Sequence, residues 1–298
     1  MERSQSAEAG SARQAVQDRP DGRGPLQRHG GIVPVGRHQV AQLGVFLVEQ
    51  LDGEVFSKSP FVGENGQPVE AEEEKAEAWD FGAMIAERGL AFALLLAAGR
   101  RVVEGDRYAR GPDFLRYDPS FMLGREVHGS TLGIFGMGRI GRQVATRANG
   151  FGMRVLYHNR HRSDEAEGAL KATYATKGAL LAQADYVVLT VPLTPETRGF
   201  IGRAELAMMK PTSILVNAAR GAVVDKDALA DALRAKRIFA AALDVTDPEP
   251  LPRDHPLLGL DNVIITPHLG SATEQTRYRM AELSVVNLFA GLEGKELP

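Results

Sequence analysis

One short segment constrains this chain more than any other: Gly136-Met-Gly-Arg-Ile-Gly141. It follows an apolar run, Thr131-Leu-Gly-Ile-Phe135, and opens a stretch of helical character. A strand, a glycine turn and a helix in that order form the context in which GxGxxG marks a phosphate-binding turn rather than an ordinary loop. The first glycine makes the turn tight. The second admits a pyrophosphate to the backbone, and the third lets helix and strand pack closely. The helix N-terminus adds unpaired N–H groups and a partial positive charge. Gly136, Gly138, Arg139, Ile140 and Gly141 are therefore candidate dinucleotide ligands.

The chain beyond the motif keeps the same rhythm. The pattern predicts strands at Arg154–His158, Tyr186–Thr190, Ser213–Asn217, Ala240–Val245 and Val263–Thr266. Between them it predicts helices at Arg139–Asn149, Lys177–Ala182, Arg203–Met209 and Lys226–Lys236, and a closing helix at Ser271–Leu292. Apolar strands alternating with helices imply an α/β fold with a doubly wound parallel sheet of the Rossmann type, with ligands at the carboxyl ends of its strands. Upstream, Leu90–Tyr108 is rich in Ala and Leu, lacks Pro and ends in basic residues, and reads as one long buried helix.

Residues 1–30 are rich in Gly, Arg, Gln and Ser and lack a period, and read as disordered. Leu43-Gly-Val-Phe-Leu-Val48 reads as a short strand, and the acidic run Glu70–Glu77 as a solvated helix or linker. The 298 residues carry a net charge of −3, which gives no bias toward nucleic acid or membrane. There is no cysteine, so disulfides, thiolate catalysis and cysteine-ligated zinc are excluded; no metal is expected, and a reducing compartment such as the cytoplasm fits. The longest apolar stretch, Leu90–Gly99, is too short to span a bilayer.

The end of the second predicted strand bears on which dinucleotide fits. NAD sites of this kind place an acid there to hold the ribose hydroxyls. Here the position holds Asn159, followed by Arg160 and Arg162. An acid would repel a 2′-phosphate, whereas Arg160 would pair with it through a charge-assisted fork. NADP(H) is therefore expected over NAD(H).

Three further strand ends carry reactive side chains: Arg220 in Val216–Gly221, Glu249 in Leu243–Pro250 and His268 in Thr266–Thr273. Reducing a 2-keto acid requires a cation for the carboxylate, a proton for the carbonyl oxygen and a group that keeps the proton donor charged. Arg220, His268 and Glu249 match those three tasks. Singly, each has a plainer reading as a turn residue, a satisfied polar group or an exposed loop acid; together, downstream of the glycine motif, they are more specific.

These segments, with Val191-Pro-Leu-Thr-Pro-Glu-Thr197, Met209-Lys-Pro and His255-Pro-Leu-Leu258, resemble the D-isomer-specific 2-hydroxyacid dehydrogenase family, and within it the glyoxylate/hydroxypyruvate and 2-ketogluconate reductase branch. The resemblance covers residues 89–298. It implies Arg220, Glu249 and His268 as catalytic residues. It places Val191, Pro192 and Thr197 beside a nicotinamide, with Ala218, Ala219, Arg220, Asp244, His268 and Gly270 also at the cofactor. The implied partner is a small 2-keto or 2-hydroxy acid. A homodimer built through Leu90–Arg110 and Asp118–His128 is implied as well.

The family forms its substrate domain from roughly its first hundred residues plus the last helix. The resemblance thus implies a cofactor domain at 89–272 and a helix, 273–298, returning to the substrate domain. Residues 1–88 depart from the pattern. A Val-Gly-x-Asp turn is expected there, and Val35-Gly-Arg-His38 and Val62-Gly-Glu-Asn65 lack its context. The expected fold is therefore a cofactor domain beside a divergent or incomplete N-terminal substrate domain, through a rearranged segment or foreign sequence joined to a reductase. The alternative reading is a catalytically impaired cofactor-binding or corepressor-like protein.

Overall fold

The computed structural model describes residues 87–292 and Gly294; the expectations for Leu43–Val48, Glu70–Glu77 and the rest of 1–86 lie outside them. Two helices, α1 (Glu87–Gly99) and α2 (Val102–Arg110), precede an alternating series. It runs β1 (Thr131–Phe135), α3 (Arg139–Gly150), β2 (Arg154–His158), α4 (Asp164–Ala169), β3 (Thr173–Tyr174), α5 (Lys177–Gln183) and β4 (Tyr186–Leu189). It continues through α6 (Arg203–Met208), β5 (Ile214–Asn217), α7 (Lys226–Arg234), β6 (Ala240–Leu243), β7 (Val263–Ile265) and α8 (Glu274–Leu292).

The seven strands form one sheet in the order β3-β2-β1-β4-β5-β6-β7, and every neighbouring pair is parallel. The order reverses between β1 and β4, which leaves a crevice at their carboxyl ends where such sheets hold ligands. Both faces are covered, so the strands are apolar at consecutive positions rather than alternate ones. In β4, Tyr186 and Val188 pack into the core shared with α1 and α3, while Val187 and Leu189 pack into the core shared with α5, α6 and α7.

The single helix expected over Leu90–Tyr108 is two. Arg101 adopts φ 53°, a left-handed conformation that ends α1 and starts α2. The break follows from packing at Gly99. A Cβ there would stand 2.5 Å from the Tyr186 hydroxyl, and the Gly99 carbonyl accepts a hydrogen bond from Arg125 N at 2.7 Å. The chain is thereby held against β4 where a continuing helix would leave it. The Arg101 guanidinium then pairs with the Glu104 carboxylate in the first turn of α2. Two elements were not anticipated, α4 and β3, although Ser163 before Asp164 and Glu165 is an N-cap signal and its hydroxyl does accept Ala166 N. Both are short, six and two residues.

The Tyr186 side chain is fully buried and donates to the carbonyls of Glu126 and Arg125. Burial, and then the neighbouring charge of Asp185, pushes its phenol up to about 12 from 10. The folded state therefore holds this proton more tightly than the unfolded chain does, and stability falls as pH rises from about 10 to about 12. Urea unfolding followed across that window should show the fall, and Tyr186→Phe should flatten it while lowering stability at neutral pH.

Candidate active site

Parallel strands bring their carboxyl ends to one edge of the sheet, and the predicted residues lie along it. At the end of β1, Gly136 has φ 99°, a conformation glycine adopts without penalty. A Cβ on Gly136 would stand 2.8 Å from the carbonyl carbon of Thr190, so the glycine turn and the β4 loop touch. A Cβ on Gly141 would stand 2.1 Å from the Gly136 carbonyl oxygen, which lets α3 begin directly against β1. At Gly138, by contrast, a Cβ would meet nothing within 4 Å. That open face, at an N-terminus with no side-chain cap, is room a pyrophosphate fits. Arg139 and Ile140 open the helix, the first exposed and the second half-buried.

Asn159 is placed at the end of β2, as expected, but its amide faces inward: Oδ1 accepts Met137 N at 2.7 Å and ties the glycine turn to β2. The two arginines beyond it differ. Arg162 is held by Glu167 at 2.9 and 2.6 Å and lies over the Tyr174 ring. Arg160 is exposed; in the loop after β4, Glu196 is held below the usual carboxylate range by the Thr194 hydroxyl, then by its own backbone N–H, with the Arg160 charge the smallest contribution. In that same loop, Thr197 Oγ1 donates to the Pro192 carbonyl at 2.6 Å and accepts Thr194 N at 2.7 Å. Thr197 therefore folds the segment that carries Val191 and Pro192.

The β5 end is shaped by Asn217, a residue to which the sequence pattern assigns no role. Asn217 is buried; its Oδ1 accepts Ala219 N, and its amide donates to the Arg220 carbonyl. This closes a turn in which Ala218 and Ala219 are buried and Arg220 is exposed, with Nη1 on the Ala219 carbonyl at 2.6 Å. Directly after it, a Cβ on Gly221 would stand 2.0 Å from the Thr246 carbonyl, so the β5 and β6 loops lie backbone to backbone.

At the β6 and β7 ends, His268 Nδ1 lies 2.8 Å from Glu249 Oε1. A carboxylate only accepts, so Nδ1 carries the proton in this pair, and Nε2 is not part of it. His268 has φ 55°, a left-handed conformation that costs a non-glycine residue about 1–2 kcal/mol. Asp244, 2% exposed, accepts Thr266 Oγ1 and Leu269 N on Oδ1 and Gly270 N on Oδ2. Arg220, Glu249 and His268 thus share one edge with the glycine turn. Among the described residues, no group of three or more His, Cys, Asp or Glu side chains is arranged to hold a metal. None of the described helices is long and apolar enough to cross a membrane.

The model of the family "D-isomer specific 2-hydroxyacid dehydrogenase, NAD binding domain" matches residues 92–270. The chain belongs to this family. The matched region is its nicotinamide-cofactor domain, and it contains all three candidate catalytic residues. A glyoxylate reductase of Korarchaeum cryptofilum is 52% identical over 209 residues, which is 70% of this chain and 63% of that protein. The chain thus spans less than two thirds of that relative. A glyoxylate reductase of Thermococcus gammatolerans is 44% identical over 280 residues, 87% of this chain and 82% of that protein, so similarity reaches upstream of residue 89. Among solved structures, the TT0316 protein of Thermus thermophilus superposes with a TM-score of 0.69 at 51% identity, covering 73% of this chain and 68% of that one.

The glycines separate binding from folding. Gly138→Ala should leave the thermal midpoint nearly unchanged and weaken binding of the reduced nicotinamide dinucleotide, read by its fluorescence, by about tenfold or more. Gly141→Ala should instead destabilise the fold by about 1–3 kcal/mol, because the new methyl meets a backbone oxygen.

Proposed function

We propose that the protein reduces a small 2-keto acid of the glyoxylate, hydroxypyruvate or 2-ketogluconate type to the D-2-hydroxy acid, using NADPH. The observation that carries this reading is the His268–Glu249 pair, 2.8 Å apart on the edge that also bears Arg220 and the glycine turn. The exposed Arg220 guanidinium forks onto the substrate carboxylate and polarises the adjacent carbonyl. Glu249 accepts Nδ1–H and aims the ring, and His268 in its doubly protonated form donates its Nε2 proton to the carbonyl oxygen. When bound, the reduced nicotinamide supplies the hydride that adds to the carbonyl carbon. Val191, Pro192, Thr197, Ala218 and Ala219 frame its place.

Preference for NADPH rests on Arg160, exposed beyond a β2 end that lacks an acid, with Arg162 already engaged by Glu167. The organisation proposed is a cofactor domain over 89–272 and a final helix that leaves it for a substrate domain. Exposed Val286, Leu288 and Leu292 on α8 support the second part. A homodimer is proposed through Leu90–Arg110 and Asp118–His128, where Val102 and Leu123 are each more than half exposed.

The test is oxidation of NADPH and NADH with glyoxylate and hydroxypyruvate by the full chain and two variants. Turnover should be faster with NADPH and should fall by about a hundredfold or more in His268→Gln, leaving a measurable residual rate. Arg160→Asp should cut the NADPH preference by about tenfold or more. Cofactor binding without turnover in the parent protein would favour a cofactor-binding protein without a complete substrate cleft.

A further inference from the structure

We infer that Asp244 is a positioning residue for His268, acting through the turn that carries the imidazole. Its carboxylate sits at the carboxyl end of β6, and all three of its donors belong to one segment. Thr266 Oγ1 donates at 2.6 Å, Leu269 N at 2.7 Å and Gly270 N at 2.8 Å. These donors flank His268 on both sides. The backbone of the same residue completes the clamp, since the Asp244 carbonyl accepts His268 N at 2.9 Å. Four groups between residues 266 and 270 are thus fixed from Asp244.

A carboxylate offers about four acceptor positions, and three are filled here. The partners explain how a carboxylate that is 2% exposed is tolerated. They also explain how His268 keeps φ 55°, since residues on either side of it are anchored and the turn cannot relax. The direction of the ring toward Glu249 follows from that turn. These bonds tie Asp244 to the segment that carries the proton donor, next to the cofactor place that the family resemblance implies for it.

Asparagine in this position keeps one acceptor oxygen and replaces the other with a donor. An amide cannot accept from Leu269 N or Gly270 N at its nitrogen, so one buried N–H loses its partner. Thr266→Val removes a single donor and is the milder variant.

The kinetic arm of the test rests on the reductase reading; a second arm does not. With hydroxypyruvate and NADPH, Asp244→Asn should lower kcat by about ten- to a hundredfold with a smaller change in KM, part of what a general acid contributes. Combined with His268→Gln it should cost nothing further, because its effect passes through that ring. In ligand-free protein, the His268 ring signal, assigned by its loss in His268→Gln, should shift in both Asp244→Asn and Thr266→Val while those of His128 and His161 stay. A tenfold loss of NADPH affinity with an unmoved His268 signal would overturn the inference in favour of a cofactor ligand. Losses that add fully to those of His268→Gln would overturn it in favour of a purely structural role. If Asp244→Asn does not fold, Thr266→Val carries the same readouts. If the parent protein shows no turnover, the ring signals alone decide, and the reductase reading fails separately.

Discussion

The strand ends of this protein meet because three glycines let backbone touch backbone. Gly136 lies against Thr190, Gly141 against the Gly136 carbonyl and Gly221 against Thr246, at distances where a Cβ would stand 2.0–2.8 Å from backbone atoms. Any side chain there would force apart α3 and β1, the glycine turn and the β4 loop, or the β5 and β6 loops. Two of these contacts join different parts of the candidate site: the glycine turn with the 191–197 loop, and the Arg220 turn with the Glu249 loop. The sheet supplies the order of the strands, and the missing side chains supply the closeness.

The polar groups then fix direction on this frame. Asn159, Thr197, Asn217 and Asp244 each spend their side chain on backbone N–H or carbonyl groups of one loop. None of the four reaches out as a free functional group, yet each shapes the loop that presents one. Such side-chain-to-backbone bonds set loop conformation where no secondary structure can. On the edge these loops form, His268 and Glu249 lie 2.8 Å apart, the pair on which the proposed proton transfer rests.

Much of this was legible in the sequence, for reasons that differ by element. A sheet buried on both faces needs continuous apolar strands, and runs such as Tyr186–Leu189 and Ile214–Asn217 announced themselves. The glycine motif was legible because its spacing follows from the backbone contacts at Gly136 and Gly141. The break at Gly99–Arg101 was not, because its cause is distant: Tyr186 and Arg125 hold Gly99, and an Ala- and Leu-rich run carries no trace of them. At the site, residue types and strand-end positions pointed to Arg220, Glu249 and His268. The inward turn of Asn159 and the three-donor grip of Asp244 depend on loops whose geometry no local pattern encodes. A threonine two residues before His268 and a glycine two after it were the available signals for that grip.

On this reading, the carboxyl edge of the sheet guides a hydride from a nicotinamide to a keto carbon while His268 protonates the oxygen. Deuterium placed at the transferable position of nicotinamide C4 in NADPH follows that event directly. With hydroxypyruvate as the acceptor, the predicted product is D-glycerate carrying one deuterium at C2. Unlabelled glycerate, the L-isomer, or oxidation of the cofactor without glycerate would contradict it.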